Sequence, residues 1–168
     1  MNNRLLDPIP SIPFPNTAGI QIIATDDPLI CISECMQDAF LFQPCYFEQG
    51  IDGATDKIYV RKTVAQMLLQ ASQNLPEGYQ LKILDAWRPP AVQKALFDNY
   101  YNILCNAPEN ASKSKEELLE MAMQFVSYPS EDPKTPFVHA TGGAVDLTIV
   151  DENGNEVDGD AMIYILGK

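Results

Sequence analysis

The sequence has 168 residues, 46% of them hydrophobic and only 20% charged, so it can bury one core without cross-links. We therefore expect a single domain over residues 1–168. Lys and Arg total 11 against 23 Asp and Glu, and the net charge of −12 repels both phosphate backbones and anionic lipids. Nucleic acid and membrane surfaces are thus not expected partners.

The N-terminal region is rich in proline and contains no apolar signal-peptide core. No later stretch approaches the roughly 20 apolar residues of a membrane span, so we expect a cytoplasmic protein. Residues 1–18 are predicted to form an extended arm, because the prolines within Pro8–Pro15 cannot donate to a regular hydrogen-bond ladder.

The cysteines are predicted to be buried thiols. A chain without a secretion signal rarely keeps disulfides, and a single Cys-x-x-x-Cys without a second pair is a poor zinc site. The four residues concerned are Cys31, Cys35, Cys45 and Cys105.

The first half of the chain predicts a strand, a segment of short strands and loops, and a helix. Gly19–Thr25 is predicted as a strand that ends at the turn Asp26-Asp27-Pro28, and residues 29–46 as short strands and loops. A helix is predicted from near Val60 to just before Pro76-Glu77-Gly78. Its predicted apolar face is Val64, Met67, Leu68, Ala71 and Leu75.

A strand at Leu81–Ala86 is predicted next, and Pro89 or Pro90 begins a second helix. The apolar face of that helix is predicted to comprise Val92, Ala95, Leu96, Tyr100 and Leu104.

A third helix is predicted at Lys115–Val126, with Ser114 and Glu117 at the spacing of a capping box. After a proline-containing loop, Ala144–Val150 is predicted as a strand, and Asn153-Gly154 suits a type I′ hairpin turn. The irregular order of helices and strands favours an α+β fold with a central, mainly antiparallel sheet and helices packed against it.

His139 is the only histidine, and Asp146 follows it across the flexible pair Gly142-Gly143. A neutral imidazole and a carboxylate both suit Zn²⁺, so the pattern is compatible with a metal site. One histidine and one aspartate also occur together for structural reasons alone, and the residues by themselves leave both interpretations open.

Arg88 lies at the predicted junction between a strand and a proline-started helix. Its guanidinium could donate a forked pair of hydrogen bonds to a substrate carbonyl or carboxylate, or it could pair with Asp85 or a surface acid. The residues alone do not decide between these roles.

Together these segments resemble the D-alanyl-D-alanine dipeptidases, relatives of the vancomycin-resistance dipeptidase. The segment Val138–Asp146 is similar to the family signature S-x-H-x-x-G-x-A-x-D, and Asp85–Pro89 is similar to its D-A-Y/W-R-P motif. Weaker similarity runs through Tyr59–Lys62 and Pro76–Tyr79. The resemblance extends from about Tyr46 to Val157.

The resemblance implies a zinc metallopeptidase of cell-wall peptide metabolism that hydrolyses the D-alanyl-D-alanine dipeptide. It implies that His139 and Asp146 are zinc ligands and that Arg88 stabilises the tetrahedral intermediate. The metal would lower the pKa of a bound water toward about 7 and polarise the scissile carbonyl.

Two features depart from the family pattern. Phe137 replaces the leading serine of the signature, and the E-x-x-H element that supplies the general base and third ligand does not follow His139. We therefore expect a truncated, impaired enzyme. The nearby acids are not expected to substitute as ligands, because they lie in or beside a solvated turn: Asp151, Glu152, Glu156, Asp158 and Asp160.

The alternative function is a non-catalytic domain of the same fold that binds a D-amino-acid-terminated peptide through Arg88 or serves only as an interaction domain. The apolar run Ala161–Leu166 could fold back as a strand of its own sheet or pair with another chain. Of these two arrangements we expect the second, self-association into a homo-oligomer.

Overall fold

The structure is a computed structural model, and it describes residues 23, 25–130, 132, 135–157 and 163–164. Strand β1 spans Leu29–Cys31, β2 Leu41–Phe42, β3 Tyr59–Arg61, β4 Gln80–Asp85, β5 Asp146–Val150 and β6 Ile163–Tyr164. The helices are α1 Ile32–Cys35, α2 Cys45–Glu48, α3 Lys62–Gln73, α4 Pro90–Asn106 and α5 Lys115–Phe125.

Four strands form the main sheet in the order β2-β4-β5-β6. β2 is parallel to β4, while β5 is antiparallel to both β4 and β6. A second sheet consists of β1 and β3, which pair antiparallel. Helices and two mainly antiparallel sheets make this an α+β fold, as predicted.

The core lies where α3 and the β1–β3 sheet meet the main sheet. β4 alternates as a half-buried strand should, with Leu81 and Ile83 inward, and β5 contributes Leu147 from the next strand. From α3, Leu68 is fully buried, whereas the predicted face residue Met67 is 38% exposed. The buried stripe of α3 runs through Val64, Ala65 and Leu68.

The element boundaries correct several predictions. Val60 belongs to β3, where it pairs with Ile30, and α3 begins only at Lys62. Residues 29–46 contain the one-turn helix α1 as well as short strands. On α4, Gln93 and Phe97 are buried together with Val92, whereas the other predicted face residues are only half-buried: Ala95, Leu96, Tyr100 and Leu104.

The turn after β5 differs from the predicted type I′ turn. The amide of Gly154 donates to the carbonyl of Asp151, so Glu152 and Asn153 are the central residues. The Asp151 carboxylate accepts from the amides of Asn153 and Asn155, which stabilises this earlier turn and leaves Gly154 in the left-handed conformation at φ 80°.

Predictions for the termini are tested only in part. The arm over residues 1–18 lies outside the described residues, as does most of Gly19–Thr25, of which Ile23 and Thr25 are described and are not in a strand. Ile163–Tyr164 pairs with Asp146–Leu147 in its own sheet, which is the fold-back arrangement. Self-association stays a prediction.

The cysteines are all free thiols, as predicted, but none is fully buried: Cys35 and Cys105 are exposed, and Cys31 and Cys45 are half-buried. Cys35 and Cys105 lie on outward faces of their helices. Within the described part of the chain, no helix is long and apolar enough to cross a bilayer.

The predicted capping box begins α5. Ser114 accepts from the Glu117 amide, and the Glu117 carboxylate accepts from the Ser114 amide at 2.8 Å. Because the hydrogen bonds of the Ser114 backbone and side chain favour the ionised form, the pKa of Glu117 lies below its ordinary value of 4.5. A carboxyl whose pKa is depressed stabilises the fold above its unfolded-state pKa, and that stability is lost as the pH falls.

We therefore expect Glu117→Gln to lower the melting temperature at pH 7 and to lower it less at pH 3, because protonation of the wild-type carboxyl increases as the pH falls. Thermal melts followed by circular dichroism at both pH values measure this difference. Glu120→Gln, on the same helix but beyond its first turn, is the control for loss of charge. An equal effect of Glu117→Gln at both pH values would contradict the capping role.

Candidate metal centre

His139 is carried by a short 3₁₀ turn, Val138–Thr141, that ends at Gly142. Gly142 has φ 74°, a left-handed conformation that suits glycine, and its carbonyl accepts from the Arg61 amide. The Arg61 side chain donates to the carbonyl of Thr141 at 2.8 Å. The turn is thereby fastened to β3.

The two sequence motifs are bonded to each other through the backbone. The amide of Arg88 donates to the His139 carbonyl at 3.2 Å, and the His139 ring Nδ1 lies 2.8 Å from the Ala86 carbonyl oxygen. A carbonyl can only accept, so Nδ1 carries the hydrogen, and a neutral imidazole then has its lone pair on Nε2. His139 is thus oriented without a hydroxyl at Phe137, whose ring is buried.

Asp85 and Asp146 are brought together by the pairing of β4 with β5. A register shift between Ile83 and Asp85 makes Asp85 the partner of Asp146. Such an irregularity re-aims side chains along a strand. The two carboxylates are therefore neighbours, one at the end of β4 and one at the start of β5.

Arg88 links both carboxylates. Its Nη2 lies 2.7 Å from Oδ2 of Asp85 and 3.0 Å from Oδ2 of Asp146, and its Nε donates to Asp85 at 2.9 Å. The guanidinium also lies over the Tyr46 ring, 4.7 Å from the centroid. Arg88 is 6% exposed, so this is a buried ion cluster.

Gln93 holds the remaining side of the guanidinium. Its Oε1 accepts from Nη1 of Arg88 at 2.6 Å, and its Nε2 donates to the Ser127 carbonyl at 2.6 Å. With an exposed fraction of 1%, this amide connects α4, the segment after α5 and the ion cluster.

Burial shapes the electrostatics of the site. It raises the pKa of Asp85 above its ordinary value, and the charge of Arg88 opposes part of that rise. Burial also raises the pKa of the Tyr46 phenol. The pKa of the neighbouring Cys45 is raised to about 11 by burial and by the Asp85 and Asp146 charges, so Cys45 stays a thiol at neutral pH.

The residues fit a divalent cation. Oδ1 of Asp146 is buried and has no hydrogen-bond partner among the described residues, and it lies 3.5 Å from Nε2 of His139. Two lone-pair atoms that face each other in a buried site require a positive ligand or a proton between them. Donor atoms of Asp85, His139 and Asp146 all lie within 4.8 Å of one another, and a nitrogen with carboxylate oxygens is a suitable donor set for zinc.

The three residues singled out in the sequence therefore lie together, while their chemical roles stay predictions. Arg88 pairs with Asp85, one of the two options that its sequence position allowed. Of the downstream acids, Asp151 binds its own turn and Glu156 pairs with Lys82. Asp158 and Asp160 lie outside the described residues.

Sequence reasoning missed three members of the site. Asp85 is predicted only as an ion-pair partner of Arg88, because its pairing with Asp146 depends on a register shift between β4 and β5. Gln93 and Tyr46 carried no sequence signal, since a glutamine within a helix and a tyrosine in a loop-rich segment are ordinary.

A cavity of about 410 Å³ adjoins the ion cluster. Arg88 and Asp85 form part of its wall, together with the aromatic side chains of Tyr46, Tyr59 and Trp87. This volume lies within the range of small-molecule sites, and the wall combines apolar rings with a few charged groups.

The fold and site together define the class: an α+β domain that carries a buried candidate metal centre of one histidine and two carboxylates beside an arginine-lined cavity. No family model matches the chain. Over 122 residues it is 30% identical to a protein named D-alanyl-D-alanine dipeptidase from Synechocystis sp., an alignment that covers 67% of this chain and 49% of that protein. The chain belongs to the D-alanyl-D-alanine dipeptidase family.

The chain spans about half the length of this curated relative. Among solved structures, it is similar to the E175A mutant of the vancomycin-resistance D,D-pentapeptidase VanY in complex with Zn(II), with 16% identity and a TM-score of 0.40 over 70% of this chain and 55% of that chain. At that score the similarity supports no further conclusion.

Gly142 provides a test of how the His139 turn is positioned. A Cβ added there would lie 2.5 Å from Cδ2 of Leu29, in addition to the left-handed backbone. We expect Gly142→Ala to lower the free energy of unfolding by about 2–4 kcal/mol in urea titrations. Gly154→Ala is the control, since at φ 80° it meets nothing within 4 Å. Equal costs for both would show that packing against Leu29 does not matter.

Gln93→Leu should destabilise the protein by about 2–4 kcal/mol, because it leaves the Arg88 Nη1 and the Ser127 carbonyl without their partner. Urea unfolding measures the loss. Gln66→Leu makes the same change at an exposed position of α3 and should stay within about 0.5 kcal/mol of wild type. A cost for Gln93→Leu as small as that of the control would exclude Gln93 as a structural link.

Proposed function

We propose that the chain is the metal-binding part of a zinc-dependent peptidase that hydrolyses D-alanyl-D-alanine in cell-wall peptide metabolism. The observation that carries the proposal is the buried Oδ1 of Asp146, which faces Nε2 of His139 and has no hydrogen-bond partner in the described part of the chain. The name of the Synechocystis relative supports the choice of substrate.

His139 and Asp146 would hold the metal, and Asp85 is a third donor residue within reach. Zinc, when bound, supplies Lewis acidity toward a carbonyl and lowers the pKa of a water to about 7. The hydrogen bond from Nδ1 of His139 to the Ala86 carbonyl fixes the ring so that Nε2 points to the metal position. The chain itself therefore determines the orientation of the nitrogen ligand.

Arg88 would stabilise negative charge that develops on the substrate oxygen. Its guanidinium is anchored by Asp85 and Gln93, so it is positioned before substrate arrives and needs little reorganisation during reaction. Its place in the wall of the cavity brings this charge to a space large enough for a dipeptide. The aromatic walls would exclude water from the peptide, which strengthens the electrostatic interaction.

Zinc binding and peptide hydrolysis test the proposal separately. We expect His139→Ala and Asp146→Asn to weaken zinc binding at least tenfold in competition with a chromophoric chelator, while Asp98→Asn on the outer face of α4 leaves it unchanged. Hydrolysis of D-alanyl-D-alanine should be about 10² to 10⁴ times slower than in an enzyme that has a general base. The remaining hydrolysis should require both His139 and Asp146.

Zinc binding that survives both ligand substitutions would contradict the metal centre. Equal release of alanine from D-alanyl-D-alanine and L-alanyl-L-alanine would contradict the proposed substrate. Zinc and peptide binding without any release of D-alanine would favour the non-catalytic binding domain.

A further inference from the structure

Arg88 belongs to two features at once. Its guanidinium binds Asp85 and Asp146 of the candidate metal centre, and the same residue lines the adjoining cavity. His139 and Asp146 are not among the residues that line this cavity. The Arg88–Asp85 pair therefore lies between the cavity and the other two candidate ligands.

The charges of the centre explain why Arg88 is bound so closely. The buried carboxylate of Asp146 and the half-buried carboxylate of Asp85 lie next to each other, and the guanidinium is the cation they share. The other groups around it are neutral at pH 7: the amide of Gln93, the phenol of Tyr46 and the thiol of Cys45. A divalent cation at His139 and Asp146 would place a second positive charge beside the first, in a site where solvent screens poorly.

We propose that Arg88 is a built-in counter-ion that competes with a divalent cation for the Asp85 and Asp146 carboxylates. Cation binding weakens the hold of these carboxylates on the guanidinium and leaves it available to an oxygen of a ligand in the cavity. By linkage, Arg88 also lowers the affinity of the centre for its cation. The inference rests on the metal centre of the proposed function and adds a role for Arg88 before substrate binds.

A residue that only positions a metal ligand would have the opposite effect on cation affinity. If Arg88 served to hold Asp146 in place, its removal would weaken cation binding. Asp146 is, however, the first residue of β5, paired with Asp85 and 5% exposed, so the strand already constrains it. Its Oδ1, which no described residue binds, faces His139, while its Oδ2 binds Arg88. Loss of the positive charge should therefore outweigh loss of one hydrogen bond.

The sign of the change in affinity is the test. For Arg88→Met we expect Zn²⁺ to bind at least tenfold more tightly than to wild type in chelator competition, and for Arg88→Lys, which keeps the charge, to bind within about threefold of wild type. Lys57→Met removes a positive charge from the same cavity wall, where Lys57 pairs with Glu34, and should change the affinity little.

Weaker binding by Arg88→Met, or affinity equal to wild type, overturns the inference. If the wild-type protein shows no zinc binding that requires His139 and Asp146, the proposed metal centre is wrong, and the inference is wrong with it. The two failures are thereby distinguished.

Arg88→Met could misfold, because it leaves the buried Asp146 carboxylate and the half-buried Asp85 carboxylate without their partner. Wild-type protein then supplies a second measurement. We expect phenylglyoxal, followed by peptide mass spectrometry, to modify Arg88 several-fold faster with saturating Zn²⁺ than with chelator. Arg61, which donates to the carbonyls of Asp27 and Thr141, is the internal control. An Arg88 rate that zinc leaves unchanged or lowers overturns the inference.

Discussion

A buried guanidinium obliges a fold to bring acceptors to every side of it, and Arg88 imposes this constraint on most of the elements around the site. β4 supplies Asp85, β5 supplies Asp146, α4 supplies Gln93, and α2 supplies the ring of Tyr46. An uncompensated charge at this depth would cost several kcal/mol. The arrangement of these four elements is thus constrained by one side chain.

The same cluster accounts for the geometry offered to a metal. Oδ2 of Asp146 is taken by Arg88, so its Oδ1 faces the histidine. Nδ1 of His139 is taken by a carbonyl, so its Nε2 is the nitrogen left for a ligand. In each of these two side chains, one polar atom is bound by the protein and the other is left to bind a cation. Contacts of this kind orient the ligands of metal sites.

Much of this could be predicted from sequence because the signals were local. Helical spacing located α3 and α4, the Ser114–Glu117 spacing located the start of α5, and the two motifs identified Arg88, His139 and Asp146. What depends on pairing between distant segments could not be predicted. Gly154 shows the limit even for a turn, since the Asp151 carboxylate moved the turn by one residue. The partner of Asp85 depends on a register shift that leaves no mark in the residue types.

The Gln93–Ser127 hydrogen bond has a consequence for how the protein opens locally. Helices packed at the side of a sheet often unfold by themselves as separate units of low stability. Here the segment that follows α5 is joined through Gln93 to Arg88 and so to the strands of the main sheet. If the α4–α5 pair opens near Gln93, the hydrogen bonds of Gln93 to Arg88 and Ser127 must break. Slow amide hydrogen exchange should therefore extend from β4 and β5 into the adjoining first turns of α4, and the helical pair and the sheet share one cooperative unit there.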